Sequence, residues 1–285
     1  MRLFVLTVLT MLAFAANSIL NRLALVDQGM DAVLFAVIRL GTGAVALALI
    51  LAVQRRGFEL GGARRVWGVA ALLLYIFGFS YAYQELDAGI GALILFAVVQ
   101  ITMFGAAVHS KEQMPFLRWM GAGLAFAGLA WLLWPASAID VSAGQGGISL
   151  PHVAMMVLAG LGWGIYSIAG RREANATQAT AMNFILAAPL SMLVLGAVSV
   201  DASTLSATGV LLATTSGVLT SGLGYALWYS VLPQLGASRG AVAQLTVPVI
   251  ALLAGLVFLG EDVSLRAAFA TVLVLSGVSL SMRRA

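Results

Sequence analysis

Apolar residues run in long blocks along this chain, and polar residues gather in short breaks between them. A helix needs about 20 apolar residues to cross the hydrocarbon core of a bilayer. Ten blocks qualify, at about 3–25, 32–53, 66–85, 87–109, 117–135, 152–171, 178–200, 208–232, 236–260 and 265–282. The pattern predicts an all-α integral membrane protein with ten transmembrane helices. The breaks carry turn and charge signals, as in Gln54-Arg55-Arg56-Gly57 and Glu85-Leu86-Asp87. The longest break, about 136–151, contains Gly144-Gln145-Gly146-Gly147 and divides the chain into two sets of five segments, 1–142 and 143–285. The first block, with one arginine, an apolar core and then small residues, has some look of a signal peptide. The many similar blocks behind it favour a first transmembrane helix.

A repeat joins the two sets. The stretch 86–113, LDAGIGALILFAVVQITMFGAAVHSKEQ, aligns without a gap on 235–262, LGASRGAVAQLTVPVIALLAGLVFLGED, at an offset of 149 residues. Leu86 falls on Leu235, Gly91 on Gly240, Ile101 on Ile250 and Glu112 on Glu261. In the same register Ser18, Ile19 and Arg22 fall on Ser167, Ile168 and Arg171, Phe35 on Phe184, Gly68 on Gly217 and Gly128 on Gly277. Single matches are cheap in so apolar a sequence, but one register held from end to end is less easily accidental. Five is odd, so the second set must cross the membrane in the opposite sense. That is the inverted-repeat design of secondary transporters, with the substrate near the midplane where the halves meet.

Composition sharpens the class. Hydrophobic residues make up 61% of the 285 and charged residues 9%, with a mean hydropathy of +1.02. A soluble domain has about 25% charged residues, so most of this exterior must face lipid. Cysteine is absent, which removes disulfides, thiol nucleophiles and cysteine metal sites. The pI near 9.9 would suit nucleic acid, but the basic residues sit in short inter-helix runs and mark topology instead. With a cytoplasmic N-terminus, twelve basic residues lie inside (Arg2, Arg55, Arg56, Arg64, Arg65, Lys111, Arg118, Arg171, Arg172, Arg239, Arg283 and Arg284) and two, Arg22 and Arg266, outside. Eight of the eleven acids fall outside. Both termini are therefore expected in the cytoplasm, with the chain in a bacterial-type plasma (inner) membrane.

The run Ala237…Gly240-Ala241…Leu245-Thr246-Val247-Pro248-Val249-Ile250-Ala251…Phe258-Leu259-Gly260-Glu261, followed by Gly277, has a looser copy at 88–112. Together they resemble the drug/metabolite transporter superfamily, and specifically its EamA-type exporters. The resemblance covers the whole chain. It implies a five-plus-five transporter that exports small metabolites by alternating access, with amino-acid exporters as the nearest likeness. It marks a superfamily rather than a substrate. The first copy has Val99 where the second has Pro248, so the two walls are expected to differ mechanically.

Several residues could carry transport. Pro248 has no amide hydrogen, so the carbonyl of Gln244 loses its helical partner, and both residues lie on one helix face. They read either as a kinked, polar wall of the pathway or as a packing kink. Gln100 sits mid-segment with Phe96 and Met103 on its face. Asn17 and Asn21 share a face with Phe14 and serve either the pathway or inter-helix hydrogen bonds. Their counterparts under the offset are Tyr166 and Gly170, and that of Phe14 is Trp163. The third segment presents Tyr75, Phe79 and Tyr83, with Tyr81 on an adjacent face, and the eighth presents Tyr225, Trp228 and Tyr229. The inverted topology predicts an outer aromatic cluster at Phe79, Tyr81 and Tyr83 and an inner one at Tyr225, Trp228 and Tyr229, opening in turn. Trp228 and Pro248 are the expected gate and hinge. The plainer reading of such aromatics is the headgroup belt, which suits Tyr83, Trp67 and Trp119 better than Trp163 and Tyr75.

Arg39 is the one charge well inside a block, either functional or snorkelling to the interface. Glu112 and Glu261 close the fourth and ninth segments and are expected to pair at the membrane edge. Gly217, Gly222 and Gly224 are candidate hinges. No acid lies deep in a span, so facilitated exchange is easier to support than proton coupling. An integral-membrane enzyme would need a catalytic cluster, and His109 and His152 are assigned to opposite faces. Neither cofactor nor metal is expected. The expected partners are the lipid bilayer and a small-molecule substrate, an amino acid or related metabolite. Multidrug and nucleotide-sugar transport are the alternatives within the same fold. Ten helices suffice for a monomer or weak dimer.

Overall fold

Apolar blocks in lipid must satisfy their own backbone, so they fold as helices. The computed structural model describes residues 1–55, 57–62, 65–109, 116–133, 149–170, 173, 175–244 and 246–281, and among them it has helices and no strand. In chain order come α1 (Arg2–Arg22), extended by a π-helical turn at Leu23–Asp27, α2 (Ala32–Val53), α3 (Arg65–Ala82), α4 (Ala88–His109) and α5 (Phe116–Leu133). There follow α6 (Leu150–Gly170), α7 (Ala176–Ala197), a short 3-10 turn at Ala202–Thr204, and α8 (Ala207–Thr215). A π-helical stretch at Ser216–Leu223 leads into α9 (Gly224–Gln244), and α10 (Thr246–Ala254) ends in another at Gly255–Leu259 before α11 (Leu265–Ser281). Polar caps set several starts: Asp31 Oδ1 accepts from the amides of Val33 at 2.7 Å and Leu34 at 3.2 Å, and Ser206 Oγ from that of Gly209 at 2.9 Å. The seam expected at 136–151 lies almost wholly outside the described residues.

Among the described residues, six helical stretches are long and apolar enough to cross a membrane: Arg2–Asp27, Ala32–Val53, Arg65–Ala82, Leu150–Gly170, Thr177–Ala197 and Ala207–Leu235. Shorter apolar helices cover Ala88–Met103, Thr246–Leu259 and Leu265–Gly277. Phe4, Val45, Leu193, Leu211, Val257 and Phe258 all point outward, largely exposed. Apolar surface on that scale belongs in lipid, and the chain is a multi-pass membrane protein.

One helix conceals a reversal. In a straight helix Trp228 and Gly240 would stand about 18 Å apart, at about 1.5 Å of rise per residue. A Cβ placed on Gly240 would instead lie 2.7 Å from Leu232 and 3.3 Å from the Trp228 ring. α9 therefore doubles back after Leu232, beside the exposed Pro233 inside it, where the sequence pattern breaks between 232 and 236.

The packing is organised by small residues. α6 lies against α3 and α4, while α1 lies against the Ser216–Leu223 stretch, α9 and α10. These neighbour sets exchange under the 149-residue offset, and α2 against α7 and α5 against α11 join counterparts. On α3, a Cβ at Gly78 would sit 2.8 Å from the Met155 carbonyl, and on α6 one at Gly162 would sit 2.8 Å from the Ala71 carbonyl. Across α2, Gly43 would meet the Phe184 ring at 2.7 Å and the Gly217 carbonyl at 2.9 Å, and Gly217 would meet the Thr42 hydroxyl and the Arg39 carbonyl.

Gly217→Ala should therefore push α2 away from the π-helical stretch and destabilise the protein by about 1–3 kcal/mol. Gly41→Ala, where nothing lies within 4 Å of the new methyl, should be neutral or slightly stabilising. Thermal unfolding of the two purified variants in detergent reads the difference, and equal melting would refute the close approach.

Candidate functional site

Two amides on α1 organise the centre. Asn17 is buried and faces the π-helical stretch: its Nδ2 donates to the Thr220 carbonyl at 3.3 Å. Its Oδ1 accepts from Ser216 Oγ at 2.9 Å and from the Thr220 hydroxyl, with Ser221 Oγ at 3.4 Å. One turn on, Asn21 Nδ2 donates to the Asn17 carbonyl at 2.9 Å, and Ser80 Oγ on α3 donates to Asn21 Oδ1 at 3.1 Å. Both amides bind neighbouring groups directly. The hydroxyls Ser216, Thr220 and Ser221 escape pattern reading because each is a single small polar residue in an apolar block.

Arg39 joins this network from α2. It is fully buried and does not snorkel. Nε donates to Ser221 Oγ at 2.7 Å, and Nη2 donates to Tyr225 OH at 2.6 Å and Tyr75 OH at 3.3 Å. The guanidinium carbon stands 5.5 Å from the centre of the Tyr75 ring and 5.2 Å from that of Phe79. Nη1 has no hydrogen-bond partner among the described residues.

The aromatics form one column where two clusters were expected. From the α3 end, Tyr83 packs on Phe79 at 4.6 Å between ring centres, Phe79 on Tyr75 at 5.2 Å, and Tyr75 on Trp163 at 5.0 Å. Trp163 meets Tyr225 at 4.6 Å, Phe14 at 5.2 Å and Tyr166 at 5.5 Å, and Tyr166 stacks on Tyr229 at 5.1 Å. All of these are buried. Trp228 leans on Phe14 at 5.7 Å beside the α9 reversal.

Tyr81 does not belong to the column. Two residues from Phe79, it lies on another face of α3, is 41% exposed, and stacks on His152 at 4.8 Å. Gln100 is half-buried, its Nε2 unpartnered, and no described hydrogen bond joins it to the column. Gln244 does reach it, with Oε1 accepting from Trp163 Nε1 at 3.4 Å and Nε2 unpartnered. Helix is described up to Gln244 and again from Thr246, and the second part carries the buried Pro248. Leu245 lies outside the described residues. α4, with Val99 at the equivalent position, runs unbroken from Ala88 to His109.

Ion pairs flank the column at both ends. Arg22 Nε meets Glu261 Oε1 at 3.2 Å, and Arg22 also reaches the Tyr83 carbonyl at 3.3 Å and Asp87 at 3.5 Å. Both Glu261 oxygens lie 2.9 Å from the Ala88 amide at the start of α4, where the helix dipole favours an anion. Burial nevertheless raises the Glu261 pKa, against the pull of that amide and Arg22, and Asp87 adds to the rise. At the other end Arg65 pairs with Glu173 at 3.3 Å and donates to Asn183 Oδ1 at 3.3 Å. Glu112 and Arg171, the counterparts of Glu261 and Arg22, lie outside the described residues.

Known proteins share this chain's sequence and shape. The model of the EamA-like transporter family matches residues 1–134 and again 150–283. An uncharacterized protein of Pseudomonas aeruginosa is 43% identical over 284 residues, covering 98% of this chain and 94% of the relative. The uncharacterized transporter YoaV of Bacillus subtilis is 24% identical over 87% of this chain and 86% of its own length, and an uncharacterized transporter of Archaeoglobus fulgidus 22% over 76% of each. A crystal structure superposes with a TM-score of 0.71 at 19% identity, covering 97% of both chains, which speaks for the fold.

If Arg22 and Glu261 hold their end of the column shut, breaking the pair should expose it. The natural chain has no cysteine, so Ser80→Cys offers a single label. Glu261→Gln should speed its reaction with a membrane-impermeant maleimide severalfold. With Glu261 intact, labelling should rise on acidification already above pH 4.5, the ordinary value that Glu261 exceeds. Equal labelling rates with and without Glu261 would show that the pair is not a latch.

Proposed function

This chain belongs to the EamA-like transporter family, and we propose that it is a secondary exporter of small metabolites, foremost amino acids with aromatic or apolar side chains. In this reading ten spans form two inverted five-helix repeats, 1–142 and 143–285. The exchange of helix neighbours under the 149-residue offset and the two separate family matches support it. The twelve-to-two bias of basic residues argues for cytoplasmic termini in a bacterial-type inner membrane.

The observation that carries the substrate reading is the buried column around Trp163. Its rings offer apolar faces to a side chain and π faces to an ammonium group. Arg39, Asn17 and the tyrosine hydroxyls offer hydrogen bonds at the same depth. That combination suits a zwitterion with an apolar body. A nucleotide-sugar carries several negative charges, and Arg39 is the one cation in the column among the described residues. An enzyme would need a catalytic cluster, and nothing in the column combines a nucleophile with a base.

Alternating access follows from the asymmetry of the walls. The α10 wall turns π-helical at Gly255–Leu259 and carries the buried Pro248, whereas α4 is α-helical from Ala88 to His109. We assign the larger bending to the α10 wall, with the Arg22–Glu261 pair closing the outer mouth. Ten helices suffice for a pathway within one chain, which favours a monomer or weak dimer. With no acid in the column among the described residues, exchange is favoured over proton coupling through a buried carboxylate.

Purified protein in liposomes should show saturable counterflow of labelled phenylalanine, tryptophan or leucine. Trp163→Ala should lower flux of the aromatic pair about tenfold relative to leucine, the scale of one aromatic pairing removed. No flux for any amino acid would overturn the amino-acid reading, and unchanged selectivity in Trp163→Ala would remove the column from the pathway.

A further inference from the structure

We propose that Arg39 is the carboxylate-binding group of the transported substrate, so that the class carried is organic monocarboxylates, amino acids among them, and not amines. This rests on the transporter reading above and adds the group that selects the substrate.

A buried cation normally faces an anion, because removing a charge from water costs several kcal/mol unless it is paired. Arg39 is fully buried, yet none of its described partners is charged. Ser221 Oγ, Tyr225 OH and Tyr75 OH are hydroxyls, and the remaining neighbours are the ring faces of Tyr75 and Phe79. Nη1 is buried with no partner. The guanidinium is thus short of an anion and has a free donor.

The free edge is placed for a ligand. A carboxylate meeting Nη1 and displacing the longer Tyr75 bond at Nη2 would complete the two-pronged pairing that guanidinium geometry favours. Tyr75 and Tyr225, the hydroxyl partners, are also the rings packed on Trp163 at 5.0 and 4.6 Å. A carboxylate held at Arg39 would therefore direct the rest of the molecule into the aromatic column. The arginine is also braced from behind. Its carbonyl abuts Gly217, and its Nε is anchored through Ser221 to the stretch that Asn17 grips. Such bracing keeps a recognition group in place while empty.

The test compares molecules that differ in one group. For the aromatic set these are phenylalanine, 3-phenylpropionate and phenethylamine; for the aliphatic set, leucine, 4-methylpentanoate and 3-methylbutylamine. Each is assayed by thermal stabilisation of the detergent-purified protein and by competition in liposome counterflow. The carboxylates should bind with or without the ammonium group, and the amines should be at least about tenfold weaker, the scale of a lost charge-assisted hydrogen bond. Arg39→Met should erase that preference, and Arg39→Lys should keep part of it. Amines that match the amino acids, carboxylates that do not bind, or a preference that survives Arg39→Met would each overturn the proposal. The wild-type comparison decides the matter if Arg39→Met fails to fold. Amino acids that cross without regard to the carboxylate leave the transporter and remove the site. Carboxylates that stabilise the wild type but cross no membrane leave the site and remove the transporter.

Discussion

A guanidinium shut inside an apolar bundle sets the terms for its neighbours. Arg39 can stay there only if hydroxyls and ring faces stand in for water, and they must come from helices distant in sequence: Tyr75 from α3, and Ser221 and Tyr225 from the second half of the chain. To bring Ser221 close enough, α2 and the 216–223 stretch meet almost backbone to backbone, hence Gly43 and Gly217. The stretch itself winds as a π-helix, a wider turn frequently found at functional sites. Asn17 takes up the Thr220 carbonyl within it. Charge, small residues, irregular helix and buried amide thus form one dependency, from α2 across to α1.

The same dependency separates rigid from yielding parts. α3 and α6 touch through backbone at Gly78 and Gly162 and are regular throughout, so they move as a unit or not at all. The irregularities fall elsewhere: at Ser216–Leu223, at the reversal of α9 after Leu232, and at Gly255–Leu259. Glu261, two residues beyond the last of these, fastens it to Arg22 and to the start of α4. On the proposed mechanism, a wall that turns π-helical at its far end and is tied there by one ion pair swings when that pair opens.

The helices were legible because lipid imposes a length, and the observed bounds of α2 match the apolar block 32–53 residue for residue. The column was legible in its members, since Trp163 and Tyr75 stand too deep for a headgroup belt. Their contiguity was not, because spacing along one helix says nothing about which helix it meets. Tyr81, read on an adjacent face yet grouped with Phe79 and Tyr83 at the outer mouth, stands apart from the column on that other face and stacks on His152 instead. The direction of Arg39 could not be read, because interior and lipid are equally apolar and the pattern around it has no polar side to point to. The π-helical turns have no sequence code of their own. They follow from where neighbours pull, and those neighbours lie up to 204 positions away, as Asn17 does from Ser221.

Joining the two expected clusters into one column changes the energetics of opening. Separate clusters could open independently, whereas a continuous stack couples them through the rings they share. Each aromatic pair contributes about 0.5–1.5 kcal/mol beyond simple burial, so freeing Tyr83 and Phe79 at one end, or Tyr229 and Tyr166 at the other, costs a few kcal/mol. Trp163 belongs to both ends: it touches Tyr75 on one side and Tyr166 on the other. On the proposed reading, a substrate ring inserted beside it would restore stacking at whichever end has opened, and so would lower that cost only while the site is occupied. If the protein works by alternating access as proposed, the coupling of opening to occupancy that this requires follows from the stacking itself, with the Arg22–Glu261 pair deciding which end yields first.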